Sequence, residues 1–314
     1  SENKNGGGAI YCYIGASDAE LPTLIFNIDQ CSFEHCKSKC GGACAINCRK
    51  GKRGISITNT TFQSNLATST SDPTVSSSDF LTKGGGGGAL LLGLQTATIS
   101  NCTFENNTCT YGSNIAIVST NKAGDTKVVL QNCSISFPTT TDTDVKSSLY
   151  FATGSNLKLY LSIEGNTFLS TGLQENQYHI NGTKLTSFSI GKDNCYTNSD
   201  DENYLFSPDF SSALSEQDNK IELCSPSPID PTPIIETCQE GTEHNTSRTV
   251  SFSDCVFRDY YDAAEPGGAI YCGIVGSGTL YGLNFILQNV QFLNCRSENK
   301  NGGGAIYCYI GASD

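Results

Sequence analysis

Gly87 to Asn107 reads GGALLLGLQTATISNCTFENN: a glycine pair, a small alanine, an apolar run, an alternating segment, and a Phe three residues ahead of an Asn. Ala97 with Ile99, and Cys102 with Phe104, each repeat every second residue, a period of two that belongs to half-buried strands and not to a helix. The same cycle recurs along the chain. Its glycine step returns at Gly7-Gly8-Ala9-Ile10, Gly41-Gly42-Ala43-Cys44, Gly267-Gly268-Ala269-Ile270 and Gly303-Gly304-Ala305-Ile306. Its strand returns as IDQCSFEHC at Ile28 to Cys36, ITNTTFQSN at Ile57 to Asn65 and LQNVQFLNC at Leu287 to Cys295, with degenerate copies at Leu130 to Phe137, Ile163 to Phe168 and Val250 to Phe257.

A longer repeat encloses this one. Ser1 to Asp18, SENKNGGGAIYCYIGASD, is repeated without a change at Ser297 to Asp314. Identity over eighteen residues implies a parent chain of near-identical 296-residue units in tandem, with 1–296 as one unit and 297–314 as the start of the next. A circular permutation is the alternative source of such an overlap. The absence of Met, at residue 1 as elsewhere, fits an internal piece of a longer chain.

Weaker Ala-Ile-like steps near Ile115, Leu149, Ile180 and Leu205 bring the count to about eight cycles per unit, roughly 37 residues each. A cycle that short cannot bury its own apolar face and must stack on its neighbours. The expected fold is therefore all-β, a solenoid of about eight coils per unit with parallel strands running up each face. Five prolines, Pro208, Pro226, Pro228, Pro231 and Pro233, fall between about 200 and 247. Such density excludes an inner strand there, so the segment reads as an excursion from the solenoid wall. Shorter excursions are expected at 66–83 and 138–146.

Paired as GGAI with FxxN, here Gly7 to Ile10 with Phe62 to Asn65 and Phe104 to Asn107, the motifs resemble the repeats of chlamydial polymorphic outer membrane proteins and related repeat proteins of protists. The resemblance implies a right-handed parallel β-helix on a cell surface, and that is the fold expected of the eight-coil unit. Two positions depart from it, with Cys36 and Cys295 standing where that family has Asn.

Sixteen cysteines point to an oxidising compartment, since no pair of CxxC knuckles is present to hold metal. Coils about 4.8 Å apart bring equivalent cysteines within disulfide reach. Cys102 with Cys133, and Cys272 with Cys308, stand at equivalent positions as bonded pairs or stacked thiols, while Cys224 and Cys238 could tether the excursion. Cys36, Cys40, Cys44 and Cys48 recur every fourth residue, but Gly41-Gly42 breaks any helix that would gather them around zinc. Sequons at Asn59, Asn101, Asn106, Asn132, Asn181 and Asn245 are candidates for N-linked glycans and again favour a secreted, extracellular or cell-surface location.

A formal charge of −12 argues against a nucleic-acid partner, and no apolar run has the length of a membrane span. Asp200-Asp201-Glu202, Asp259 with Asp262, and Glu34 beside His35 read as solvated loop charges, and His35, His179 and His244 fall in different cycles. No catalytic, cofactor or metal residues are expected. The functional expectation is a structural subunit of an extracellular fibre or stalk, its partners identical units stacked end to end with Ile306 over Ile270. The alternative is an adhesin that binds through its loops, with a polysaccharide-processing enzyme third.

Overall fold

The computed structural model describes residues 7–14, 23–48, 53–70, 86–93, 96–119, 125–139, 144–153, 158–183, 187–208, 221–224, 248–258, 261–262, 270–275, 282–293, 295–297 and 306–311. Every strand pairing in them is parallel, and the chain winds as a parallel β-helix.

Each turn lays down strands on successive faces. The long face holds, in spatial order, Ser187–Ile190, Leu159–Glu164, Thr126–Gln131, Thr96–Ser100, Arg53–Thr58, Thr23–Asp29, Gly282–Leu293 and Arg248–Arg258. Alternation along these strands sends Ile28, Ile57, Ile99, Leu130 and Ile163 inward, all at most 1% exposed, and leaves residues such as Thr96 and Thr98 outside. A short face follows after one sharp corner, built from three-residue strands such as Thr61–Gln63 and Thr103–Glu105, in which only the central residue is buried. Those central residues make a continuous stack: Phe257, Phe292, Phe33, Phe62 and Phe104 lie ring on ring, with neighbouring centroids 4.9–5.2 Å apart.

The corner has its own residue code. Gln30, Asn59, Asn101, Asn132, Gly165, Asp193, Asp254 and Asn289 all have φ between 50° and 64°. Asn, Asp and Gly tolerate this left-handed conformation, so one such residue between two strands turns the chain with little strain.

The third face carries the glycine step. Its order is Tyr178–Thr183, Ser147–Thr153, Ile115–Ser119, Leu90–Gly93, Cys44–Cys48, Ile10–Ile14, Ile306–Gly311, Ile270–Val275. Unlike the long face it is buried on both sides. Leu90, Leu91 and Leu92 are each at most 1% exposed, and Tyr11, Ala45, Leu91, Ala116 and Tyr150 line a second apolar cluster. Burial on both sides explains why the apolar run after each glycine pair does not alternate. Gly87 is required at the entry: at φ 69° an added Cβ would lie 2.0 Å from the Leu90 carbonyl oxygen.

One expectation needs correction, and the order of the coils adds a finding of its own. Leu66–Ala67 is not the start of an excursion but a strand of a small fourth ladder, with Tyr261–Asp262, Arg296–Ser297 and Lys37–Ser38. More important, the coils do not stack in chain order. The last cycle of the unit does not follow the Leu205 cycle; Gly282–Leu293 pairs instead with Thr23–Asp29, at the opposite end of the stack.

Candidate functional site: buried polar columns and the paired terminal strands

Two columns of side chains thread the interior beside the corners. The first stands one residue after the left-handed corner: Cys31, Thr60, Cys102, Cys133, Asn166 and Asn194 are all buried. Asn166 and Asn194 act as rungs. The Asn166 Oδ1 accepts the Cys133 N–H at 3.0 Å, its Nδ2 donates to the Leu130 carbonyl at 2.9 Å, and Asn194 Oδ1 accepts the Asn166 N–H at 3.0 Å. The second column stands three residues after the stacked Phe and comprises Cys295, Cys36, Asn65 and Asn107, all 0% exposed. Asn65 Oδ1 accepts the Cys36 N–H at 3.0 Å, and Asn107 Oδ1 accepts the Asn65 N–H at the same distance. An amide at these corners supplies one acceptor and two donors to backbone groups that no ladder bond reaches. This gives the Asn of FxxN a physical role in the coil-to-coil bond.

Cysteine substitutes for Asn where the column is apolar. Cys102 and Cys133 sit on successive coils as free thiols in contact, not as a disulfide. Their mutual hydrogen bond and their burial hold the Cys102 thiol well above its ordinary range. Burial likewise raises Cys36, in contact with Cys295, and Cys44. Cys31 and Cys40 are pushed up to about 12 and Cys109 to about 11 by desolvation. Such thiols pack as small apolar groups and are poor nucleophiles. Cys36, Cys40 and Cys44 are all buried and in no disulfide, and among the described residues no group of three His, Cys, Asp or Glu side chains is placed to hold a metal ion.

Cys224 is bonded to Cys195, with their Cα atoms 4.9 Å apart. The bond fastens Glu222–Leu223 to Cys195–Tyr196 as the last rung of the short face, closing that end of the solenoid. Cys238 lies outside the described residues.

Asp201, read from sequence as a solvated loop charge, is instead buried at the same end. Its Oδ1 accepts the Leu173 N–H at 3.1 Å, and its Oδ2 accepts from Ser170 and lies 3.2 Å from His179 Nε2. Burial works to raise this carboxyl, but the bonds from His179, Ser170 and Leu173 outweigh it and hold the pKa below the ordinary value. Ser170 and His179 both address the same carboxylate oxygen of Asp201. The cluster pins the 3-10 turn Ser199–Tyr204 across the end of the stack. Periodicity alone could not reveal it, because Ser170 and His179 come from one cycle and Asp201 from the next.

The sequon asparagines also have structural roles. Asn59, Asn101 and Asn132 are exposed corner residues with left-handed φ, and Asn106 occupies a second such turn. The Thr or Ser two residues on is an outward position of the short face, so corner and strand together reproduce N-x-S/T. Asn59 and Asn101 join an outer ladder, with Asn59 Nδ2 donating to Asp29 at 2.9 Å and Asn101 Nδ2 to Asn59 at 3.3 Å. Asn181 is a half-buried residue of Tyr178–Thr183, and Asn245 lies outside the described residues.

At the other end lie the duplicated strands. Ile306–Gly311 pairs on one side with Ile270–Val275, in a register that sets Ile306 against Ile270 and Cys308 against Cys272. On its other side it pairs with Ile10–Ile14, where Ile10 meets Ile306, Tyr11 meets Tyr307 and Cys12 meets Cys308: each residue faces its own copy. No family model, curated protein or solved structure matches this chain.

Proposed function

We propose that this chain is a structural module of an extracellular fibre or stalk, assembled from tandem copies of the same β-helical unit. The observation that carries the reading is the in-register pairing of Ile10–Ile14 with the identical Ile306–Gly311, since the beginning and the end of a unit fit one stack. The buried columns support it. Asn and Phe ladders running from coil to coil give axial cohesion, and the interior is filled by packing groups. The Cys195–Cys224 bond is compatible with an oxidising location, and no helix among the described residues is long and apolar enough to cross a membrane. N-linked glycans on the exposed corner asparagines would keep neighbouring fibres apart.

Electron microscopy of material carrying several copies tests the reading. Rows of rod-like modules, each about 38 Å long for eight coils at about 4.8 Å, are expected. Isolated particles without axial repetition would contradict it.

A further inference from the structure

The faces do not hold matching numbers of strands where the two ends of the chain meet. Between Ile270–Val275 and Cys44–Cys48 the glycine face holds two strands, Ile306–Gly311 and Ile10–Ile14. Across the same interval the long face passes from Arg248–Arg258 through Gly282–Leu293 to Thr23–Asp29, which provides a place for only one. The coil that starts with Gly282–Leu293 ends on the glycine face with Ile306–Gly311, and the coil that starts with Thr23–Asp29 ends there with Cys44–Cys48. No strand of the long face belongs to Ile10–Ile14.

The corner glycines show which of the two strands fits. A Cβ on Gly42 would lie 2.8 Å from the backbone of Leu66, in the next coil, and one on Gly88 would lie 2.8 Å from that of Thr108, again in the next coil. Gly8 meets the backbone of Lys37 at 2.7 Å in the same way. Ile10–Ile14 thus sits where the last strand of the Gly282 coil should sit, and its covalent copy is stacked beside it.

We infer that Ile10–Ile14 and Ile306–Gly311 are two occupants of one slot, and that in tandem copies the slot is filled once, by the single strand shared by the two. The folding unit is then offset from the sequence unit. It begins near Arg248 of one copy, runs through Ser297 directly into the next copy, and closes at the Cys195–Cys224 rung of that copy. This gives eight coils, the first two supplied by the preceding copy. The partner of the Thr23–Cys48 coil is accordingly the 248–296 segment of a second copy, and consecutive solenoids are joined by 225–247. Those twenty-three residues can reach about 76 Å when extended, about twice the roughly 38 Å from one end of the stack to the other, so one chain also closes upon itself. This deepens the tandem reading and rests on it for the array, but the shared slot is testable in a single chain.

Thermal unfolding of the 314-residue chain at low concentration, followed by circular dichroism, is measured for Ile10→Asp, Ile306→Asp, both together, and Ile46→Asp as a core position with no duplicate. A charge in a stacked apolar column is severely destabilising. With a shared slot, each single substitution expels one strand and the other takes its place, so the midpoint falls by less than about 3 °C, while the double substitution and Ile46→Asp each lower it by more than about 10 °C. If Ile10→Asp alone is as damaging as Ile46→Asp, or if the double loss is the sum of the singles, the two strands are ordinary successive coils and the inference falls. Failure of the double variant to fold leaves the single substitutions to decide. None of these outcomes depends on fibre formation, so a failed slot and a failed fibre are told apart.

Discussion

Asn107→Ala should be among the most damaging single-residue truncations of a polar group in this protein. The side chain is 0% exposed and makes four hydrogen bonds: Nδ2 donates to the Phe62 carbonyl and to Asn114 Oδ1, each at 2.9 Å, and Oδ1 accepts from Asn65 N–H at 3.0 Å and from Asn65 Nδ2 at 2.9 Å. At about 0.5–1.5 kcal/mol for each bond, the loss is about 2–6 kcal/mol, and the Asn65 N–H loses its acceptor in an interior that water does not reach. About 4 kcal/mol is therefore expected. Asn107→Asp should be no milder, because it keeps the acceptor, loses both donations, and brings a charge against carbonyl oxygens. At the exposed corner, Asn101→Ala removes a residue suited to left-handed φ and one exposed hydrogen bond to Asn59, and should cost about 1–2 kcal/mol. Urea unfolding gives the stability change for each variant, and hydrogen exchange at the Asn65 amide reports the lost bond directly. A cost below about 1 kcal/mol for Asn107→Ala, or an Asn65 amide protected as before, would refute the role assigned to the column.

Reducing the Cys195–Cys224 bond, which spans a sequence separation of 29, should cost about 3.5 kcal/mol by the chain-entropy relation and loosen the end formed by Glu222–Leu223 before the rest, as differential hydrogen exchange with and without reductant will show. Cys31 and Cys40 near 12 and Cys109 near 11 lie above their ordinary value of 9.0, so their stabilising contribution is complete below pH 9 and is lost as pH rises through 9 toward those values. The unfolding free energy from urea titrations should thus fall above pH 9, by about 1.4 kcal/mol per pH unit for each thiol, and substitution of the three by Ala should flatten the profile. Asn59, Asn101 and Asn132 occupy successive coils about 4.8 Å apart. Glycopeptide mass spectrometry of native protein should find no single chain carrying sugar on all three, and fully unglycosylated protein would remove the glycan proposal altogether.

The coil was legible because its constraints are local. A left-handed corner favours Asn, Asp or Gly, a short face has one inward residue that is most often Phe, and both leave fixed spacings such as Asn101, Phe104 and Asn107. Stacking order was not, because every coil edge offers the same backbone ladder and nothing in a repeat states which edge its last copy meets. The 248–297 segment therefore went to the Thr23 edge, away from the coil it follows in sequence. Sequons carry a double signal for a related reason: the corner favours Asn59 and Asn101 whether or not sugar is attached. Asp201 was missed because three consecutive acidic residues look alike in sequence, and it is the preceding coil, through Leu173 and His179, that meets the middle one.

A disulfide between Asn27→Cys and Ile286→Cys tests the stacking order most directly. The two residues are register partners on adjacent strands of the long face. Adjacent strands lie about 4.8 Å apart, inside the range of Cα separations a disulfide accepts, whereas stacking in chain order would separate the pair by seven coil steps, about 34 Å. Mild oxidation followed by peptide mass spectrometry should recover the 27–286 crosslink within single chains of monomer mass. Its absence under conditions that leave Cys195–Cys224 intact would contradict a solenoid that begins with the last two coils of its own repeat.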